Sequence, residues 1–197
     1  HMDNFEIDSK NEDFTMADSV FKLAVLKLGC IGAAPLLDLL FDERADRDDL
    51  ETRAFTSGAK LDLDACEGPM ADCLAYGADL VLLVSPNAAL PGPTRARQAL
   101  LEAGVPTIAL SDAPSKKAFF KKNEEGKQVI NVPPGLGFFI FPADPMIGAR
   151  REFLDATEMA LFNSDVIRLL AATGAFRVVQ RELDTVIEAL KTGDTPD

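Results

Sequence analysis

Leu80-Val81-Leu82-Leu83-Val84, running straight into Ser85-Pro86-Asn87-Ala88-Ala89-Leu90-Pro91-Gly92-Pro93, is the stretch whose reading decides the fold. Its apolar run leaves no polar face, so it suits a strand covered on both sides, as in a parallel sheet packed between helices. The three prolines that follow make the loop stiff, a fixed shape that a plain connector does not need. Asn87 is the strong hydrogen-bonding side chain of that loop.

Upstream and downstream, strand-length apolar runs alternate with segments of helical period, the pattern of βαβ units. A first strand is expected over Phe21 to Leu28, then a Gly29-Cys30-Ile31-Gly32 turn and a helix over Pro35 to Phe41, with Pro35 in the first helical turn. Thr52 to Phe55 reads as a second strand, ending in Thr56-Ser57-Gly58-Ala59-Lys60, and a helix covers roughly Asp64 to Tyr76. Thr94 is placed to N-cap a helix reaching Ala103. Pro106 to Leu110 forms a fourth strand that ends at Ser111-Asp112-Ala113-Pro114.

Lys116 to Pro134 breaks this regularity with a polar helix, a short strand candidate over Gln128 to Val132 and two prolines, so it reads as an excursion from the sheet. Gly137 to Phe141 resumes as a fifth strand. From Gly148 apolar residues recur at helical spacing through Phe153, Met159, Phe162, Ile167 and Leu170, and again through Phe176, Val179, Leu183 and Ile187, with Gly174 dividing two helices. The fold class is α/β: an open, mostly parallel, Rossmann-like sheet with helices on both faces, followed by C-terminal helices. Residues 1–15 are read as a tag remnant and flexible extension, 16–150 as the cofactor-binding α/β domain, and 151–197 as a helical segment packed on the same domain.

Composition narrows the function classes. The 197 residues are enough for one large domain with a core of its own. A formal net charge of −12 argues against a nucleic-acid partner, whose phosphates demand clustered Lys and Arg. Three cysteines, an odd number with no CxxC pair, suit a reducing compartment and offer no structural metal site. No stretch approaches the roughly 20 apolar residues of a membrane helix, and the expected location is the cytoplasm. His1-Met2 looks like a cloning remnant ahead of a native start at Met16, so the single histidine of the chain is not available for chemistry.

In an open α/β sheet, ligands bind beyond the carboxyl ends of the strands, where helix N-termini turn free N–H groups toward anions. Gly29 and Gly32 permit close backbone approach, although a glycine pair also makes an ordinary tight turn and the third glycine of a dinucleotide fingerprint is lacking. Thr56, Ser57 and Gly58 offer hydroxyls and amides for a phosphate or carboxylate, with Lys60 as counter-charge, while a capping turn accounts for the same residues equally well. Asp112 places a carboxylate at the fourth strand end, where it either meets a ligand or caps a helix. Asp144 to Asp155 packs charges of both signs, and the Arg150-Arg151 pair suits either an anion or surface ion pairs. A phospho-receiver domain, which shares a doubly wound sheet, is excluded because Gly29-Cys30 and Pro86-Asn87 stand where its acidic residues are needed.

Taken together, Lys27 to Gly32, Leu39 to Arg47, Thr56 to Lys60, Ser85 to Pro93 and Asp144 to Phe153 resemble the coenzyme F420-dependent methylenetetrahydromethanopterin dehydrogenases of methanogenic and related archaea. The similarity runs from about Val20 to Gly193 and is densest over Ala143 to Val179. It implies reversible hydride transfer between the methylene bridge of a tetrahydropterin carrier, tetrahydromethanopterin or a relative, and the deazaflavin F420. It also implies small-molecule partners and a homo-oligomer, typically a hexamer. The chemistry then belongs to the two cofactors, so the protein only positions them.

Under that resemblance Gly29, Cys30, Gly32, Thr56, Ser57, Gly58, Lys60, Pro86, Asn87, Gly92, Asp112, Ala113, Pro114, Asp144, Met146 and Arg150 become candidate cofactor contacts. Asp112, Asp144 and Glu152 are the acidic side chains expected near the pterin; no catalytic nucleophile and no metal are called for. The chain departs from the family where Leu28-Gly29-Cys30 replaces Cys-Gly-Asn, where Ser115 replaces a glycine after Asp112-Ala113-Pro114, and in a longer Lys116 to Pro134 excursion. The family's chains also continue past the equivalent of Asp197 into a further helical part. The alternative carried alongside the dehydrogenase is therefore a non-catalytic F420- or pterin-binding or assembly domain.

Overall fold

A computed structural model of the chain describes residues 20–30, 48–141, 164–165 and 168–196. In chain order its strands and its fully described helices of more than one turn are β1 (Phe21–Lys27), β2 (Leu50–Thr56), α1 (Leu63–Tyr76), β3 (Leu80–Ser85), α2 (Pro91–Glu102), β4 (Thr107–Asp112), β5 (Phe120–Lys122), β6 (Gln128–Ile130), β7 (Leu136–Phe141) and α3 (Ala175–Thr192). Five strands form one sheet in the order β2-β1-β3-β4-β7, and every neighbouring pair is parallel. The chain runs outward from β1 to β2, then crosses back over β1 to β3, so the order reverses between β1 and β3. Such a reversal opens a crevice at the strands' carboxyl ends.

The register sorts the apolar residues by face. Leu23 pairs with Leu80, Val25 with Leu82, Leu82 with Ile108 and Leu110 with Phe139, so these side chains share one face of the pleat. That face is covered by Val179, Leu183 and Ile187, spaced every four residues along one stripe of α3. The opposite face presents Ala24, Leu26, Leu28, Val81 and Leu83 to Cys66, Met70 and Cys73 of α1 and to Ala96, Ala99 and Leu100 of α2. Each fully buried leucine in these layers contributes roughly 1.5–3 kcal/mol relative to exposure.

α1 begins where Asp62 Oδ1 accepts the Ala65 N–H at 3.0 Å and ends at the left-handed Gly77, whose N–H returns to the Leu74 carbonyl. At the amino end of the sheet the Lys191 ammonium of α3 meets the Asp49 carboxylate just before β2. Among the described residues, no helix is long and apolar enough to cross a membrane.

Several expectations are corrected. Thr94 does not cap α2: the helix starts at Pro91, whose fixed φ suits the first helical position, and Leu90 holds the cap position without a side-chain bond. Pro91, Gly92 and Pro93 are therefore helical, and the loop after β3 shrinks to Pro86–Leu90 with one proline. β4 carries on through Ser111 and Asp112.

The polar helix expected after Lys116 is a single turn, Lys116–Phe119, followed by the antiparallel hairpin β5–β6. A longer helix would set Lys117 beside Lys121 one turn away, a repulsive pair. The hairpin instead closes on Asn123, whose Oδ1 accepts the N–H groups of Glu125 and Lys127. Phe119 stacks on Phe138 at 4.7 Å and Phe120 meets the same ring edge-on at 5.5 Å, which pins the hairpin to the edge strand β7. The strand candidate Gln128 to Val132 is present as Gln128–Ile130. The helix expected over Pro35 to Phe41, and Phe153, Met159, Phe162 and Ile167 of the later pattern, lie outside the described residues.

Candidate functional site

Two clusters form at the carboxyl end of the sheet. The first joins the ends of β1 and β2. Gly29 takes φ +82°, and a Cβ there would stand 2.7 Å from Cγ of Leu61, so both its conformation and its surroundings demand glycine. Its N–H donates to Ser57 Oγ at 3.1 Å, and the same hydroxyl donates to the Lys60 carbonyl at 2.7 Å. The Ser57 N–H is held by the Lys27 carbonyl at 3.1 Å, and the Gly58 N–H by Thr56 Oγ1 at 3.0 Å. The amides expected to be free in this loop are thus engaged inside it, because hydroxyls next to a sharp turn satisfy the backbone they adjoin. Lys60 and Cys30 are exposed at its rim.

Gly92 belongs to the same cluster as a packing contact. A Cβ at that position would lie 2.5 Å from Cys66 Sγ and 2.6 Å from the Leu61 carbonyl oxygen, so glycine lets the first turn of α2 meet the first turn of α1. Burial pushes the Cys66 thiol up in pKa, with opposing help from a Ser57 hydrogen bond.

The second cluster joins the ends of β3 and β4, where Ser85 pairs with Ser111. Asn87 is half-buried; its Oδ1 accepts the Ala89 N–H at 3.1 Å and its N–H reaches Ser85 Oγ at 3.3 Å. Ala88 is buried, with both polar groups of its backbone taken by side chains from elsewhere. Ser115 Oγ accepts its N–H at 2.8 Å, while its carbonyl accepts from Thr94 Oγ1 at 3.1 Å and from Arg97 Nη1 at 2.7 Å. The Arg97 guanidinium also lies over the Phe119 ring, 5.3 Å from its centroid, and its desolvation lowers its pKa.

Asp112 is fully buried at the end of β4 and makes no side-chain cap to the 3₁₀ turn Ala113–Ser115 that follows, which corrects its reading as a helix cap. Ala113 is half-buried and Pro114 exposed. Ser111 Oγ is buried with no hydrogen-bond partner among the described residues, an unsatisfied hydroxyl in the floor of this end of the sheet.

The structure therefore gathers Gly29, Thr56, Ser57, Gly58 and Gly92 on one side and Pro86, Asn87, Asp112, Ala113 and Pro114 on the other. Gly32, Asp144, Met146, Arg150 and Glu152 lie outside the described residues. Arg97, Thr94 and Ser115 were not singled out as site residues from sequence. The available signal for Arg97 was its spacing, since it shares a helix face with buried Pro93 four residues before and buried Leu100 three after. A separate cavity of about 470 Å³ sits at the opposite, amino end of the strands, lined in part by Pro106, Gly135, Phe139, Val186 and Pro196.

The model of the methylene-5,6,7,8-tetrahydromethanopterin dehydrogenase family matches residues 21–197. The chain is 52% identical over 179 residues to an F420-dependent methylenetetrahydromethanopterin dehydrogenase of Archaeoglobus fulgidus, which covers 90% of this chain and 61% of the relative. It is 47% identical over 178 residues to the enzyme of that name from Methanothermobacter thermautotrophicus, again with 90% and 61% covered. A solved structure of an F420-dependent methylene-tetrahydromethanopterin dehydrogenase, in complex with methylene-tetrahydromethanopterin and coenzyme F420, superimposes with a TM-score of 0.74 at 38% identity, over 88% of this chain and 60% of that one. The chain thus spans about three fifths of the length of the relatives it matches.

Proposed function

The chain belongs to the methylenetetrahydromethanopterin dehydrogenase family, and from that premise we propose that it binds coenzyme F420 and a methylene-tetrahydropterin and supports hydride transfer between them. The observation that carries this reading is the family match over residues 21–197, whose described part holds both strand-end clusters. The donor set there suits the chemistry. Hydroxyls, the Asn87 amide side chain and a carboxylate converge at the strand ends without histidine, and the unsatisfied Ser111 hydroxyl leaves hydrogen-bonding capacity in the floor.

Transfer from the N–CH2–N bridge of the pterin to the deazaflavin ring is the chemistry that the bound pair supplies. What falls to the protein is placement, and holding two reactants in register lowers a barrier by roughly 7–11 kcal/mol. Gly29, Asn87 and Ala113 are the residues proposed to face the ligands across the β1/β3 crevice, and the backbone clusters beneath them keep those positions fixed. Asp112, with Asp144 and Glu152, is proposed to lie on the pterin side, where a carboxylate favours the cationic methenyl product. Gly32, Met146 and Arg150 are proposed to complete the pocket. A cytoplasmic setting and a homo-oligomer, a hexamer as in the resembled family, complete the proposal.

The test is a spectrophotometric assay of F420 reduction with methylene-tetrahydromethanopterin, run beside direct F420 binding to the same chain. Loss of the deazaflavin absorbance that depends on the pterin supports the dehydrogenase. Saturable binding without turnover marks a cofactor-binding portion of the enzyme, the second reading, which the three-fifths coverage of the relatives favours. Absence of binding overturns both.

A further inference from the structure

We infer that Arg97 is a positioning residue which, with Ser115, holds the Pro86–Leu90 loop in the shape that receives the ligand; the ligand half of this inference rests on the function proposed above. The observation is the double grip on one residue, through the N–H of the 87–88 peptide and the carbonyl of the 88–89 peptide. Ser115, from the turn after β4, accepts the Ala88 N–H at 2.8 Å. Arg97, from the second turn of α2, donates to the Ala88 carbonyl at 2.7 Å, and Thr94 adds a longer bond at 3.1 Å.

A loop of this length is ordinarily satisfied by its own turns or by water. Here Asn87 does part of that work, through its carbonyl to the Leu90 N–H and its side chain to the Ala89 N–H. Ala88 is held at both its N–H and its carbonyl by side chains from outside the loop, 6, 9 and 27 positions away in the chain. A guanidinium is a demanding choice for that task, since it must be partly desolvated against Phe119 to reach the carbonyl. No carboxylate forms an ion pair with it among the described residues. The guanidinium lies over the Phe119 ring while an N–H meets the carbonyl, so it ties α2, the loop and the excursion before the hairpin into one unit.

Asn87, next to the held peptide, stands at the carboxyl end of β3 beside the crevice. Rotation of the Ala88 peptide would move Asn87 and Pro86 with it, whereas the buried strands behind would stay in place. Arg97 therefore acts on the ligand through the loop, without touching it.

The experiment compares the wild-type chain with Arg97→Ala, Arg97→Lys and Ser115→Ala, reading amide hydrogen exchange at Ala88, Ala89 and Leu90, F420 affinity by fluorescence, and the unfolding midpoint. With the grip removed in Arg97→Ala, exchange at these three amides should accelerate at least about tenfold, the scale of one lost charge-assisted hydrogen bond, while amides of β1 and β3 keep their protection. F420 affinity should fall by about the same factor, and Arg97→Lys, which keeps a cationic donor but not the guanidinium fork, should recover part of both losses. Ser115→Ala should accelerate the same amides from the other side. Unchanged exchange at Ala88 to Leu90 in both alanine variants would overturn the grip. Faster exchange with unchanged F420 affinity would overturn the positioning role. A wild-type chain that binds no F420 would overturn the proposed function instead, and with it the ligand half of this inference, while the exchange data still decide the grip.

Discussion

The two loop clusters at the carboxyl end of the sheet are held by different physics. Around Gly29 and Gly92 the backbone is fixed by lack of space in addition to local hydroxyl bonds: a single added carbon at either position would meet Leu61 or Cys66 well inside van der Waals contact. Around Ala88 the backbone is fixed by polar side chains brought in from α2 and from the turn after β4. The first arrangement is rigid and intolerant; the second can be loosened one bond at a time. A crevice with one immovable wall and one adjustable wall suits a protein whose proposed task is to hold two ring systems at reactive distance.

The comparison breaks most sharply at Gly92. Gly92→Ala should cost about 3 kcal/mol, the upper range of overpacking, seen as a lower urea midpoint with an unchanged slope. Adding Cys66→Ala should return only part of the loss, because the Leu61 carbonyl still blocks the new carbon. An unchanged midpoint in the single variant would mean that α1 and α2 meet less closely than described.

Gly29→Ala should cost about 2 kcal/mol, from the left-handed backbone and the Leu61 contact together. A double-mutant cycle with Leu61→Ala separates the two contributions: the contact part should vanish and the backbone part remain.

On the adjustable wall, Ser115→Ala leaves the buried Ala88 N–H without its acceptor and should cost about 1–2 kcal/mol by the same denaturation measurement. A loss equal to that of Gly92→Ala would erase the distinction between the walls.

How legible this was in the sequence follows the same division. The strands could be read because burial on both faces writes itself as continuous apolar runs, as in Leu80 to Val84, and α3 because Val179, Leu183 and Ile187 keep one stripe. Gly29 and the Thr56 to Gly58 loop were visible as special for a local reason, glycine and hydroxyls beside a strand end. Gly92 was visible only as a glycine near a loop; that its role is helix packing depends on α1, some 26 residues upstream of it through Cys66. The start of α2 was misread because Thr94 and Pro91 both signal helix starts, and proline's fixed φ won. The hairpin was misread because the lysines of 116–122 look helical until Phe119 and Phe120 find Phe138. The grip on Ala88 joins residues whose separations carry no sequence pattern, so only the folded chain brings them together.

Smaller effects sharpen the account away from the crevice. Burial raises Cys73 to about 11, and burial with Glu51 beside it raises Tyr76 to about 12. Both are protonated in the folded state above the pH at which the unfolded chain ionises, so the folded state binds more protons there. Stability contributed by these groups is complete below about pH 9 and should fall as pH rises through 9 to 12. Thermal melts across that range should show the decline, and Cys73→Ala should remove the part between 9 and 11. Lys191→Ala, at the amino end, should change stability by less than about 1 kcal/mol, since its partner Asp49 is well exposed.

The central claim is that ligands meet the carboxyl ends of β1, β3 and β4 rather than the apolar cavity at the other end of the sheet. Amide chemical-shift mapping of the chain titrated with F420 tests it most directly. The account predicts saturable shifts at Gly29, Asn87, Ala88 and Ala113, with Thr107, Gly135 and Phe139 unmoved. Shifts confined to Thr107, Gly135 and Phe139, around the cavity of about 470 Å³, would contradict it.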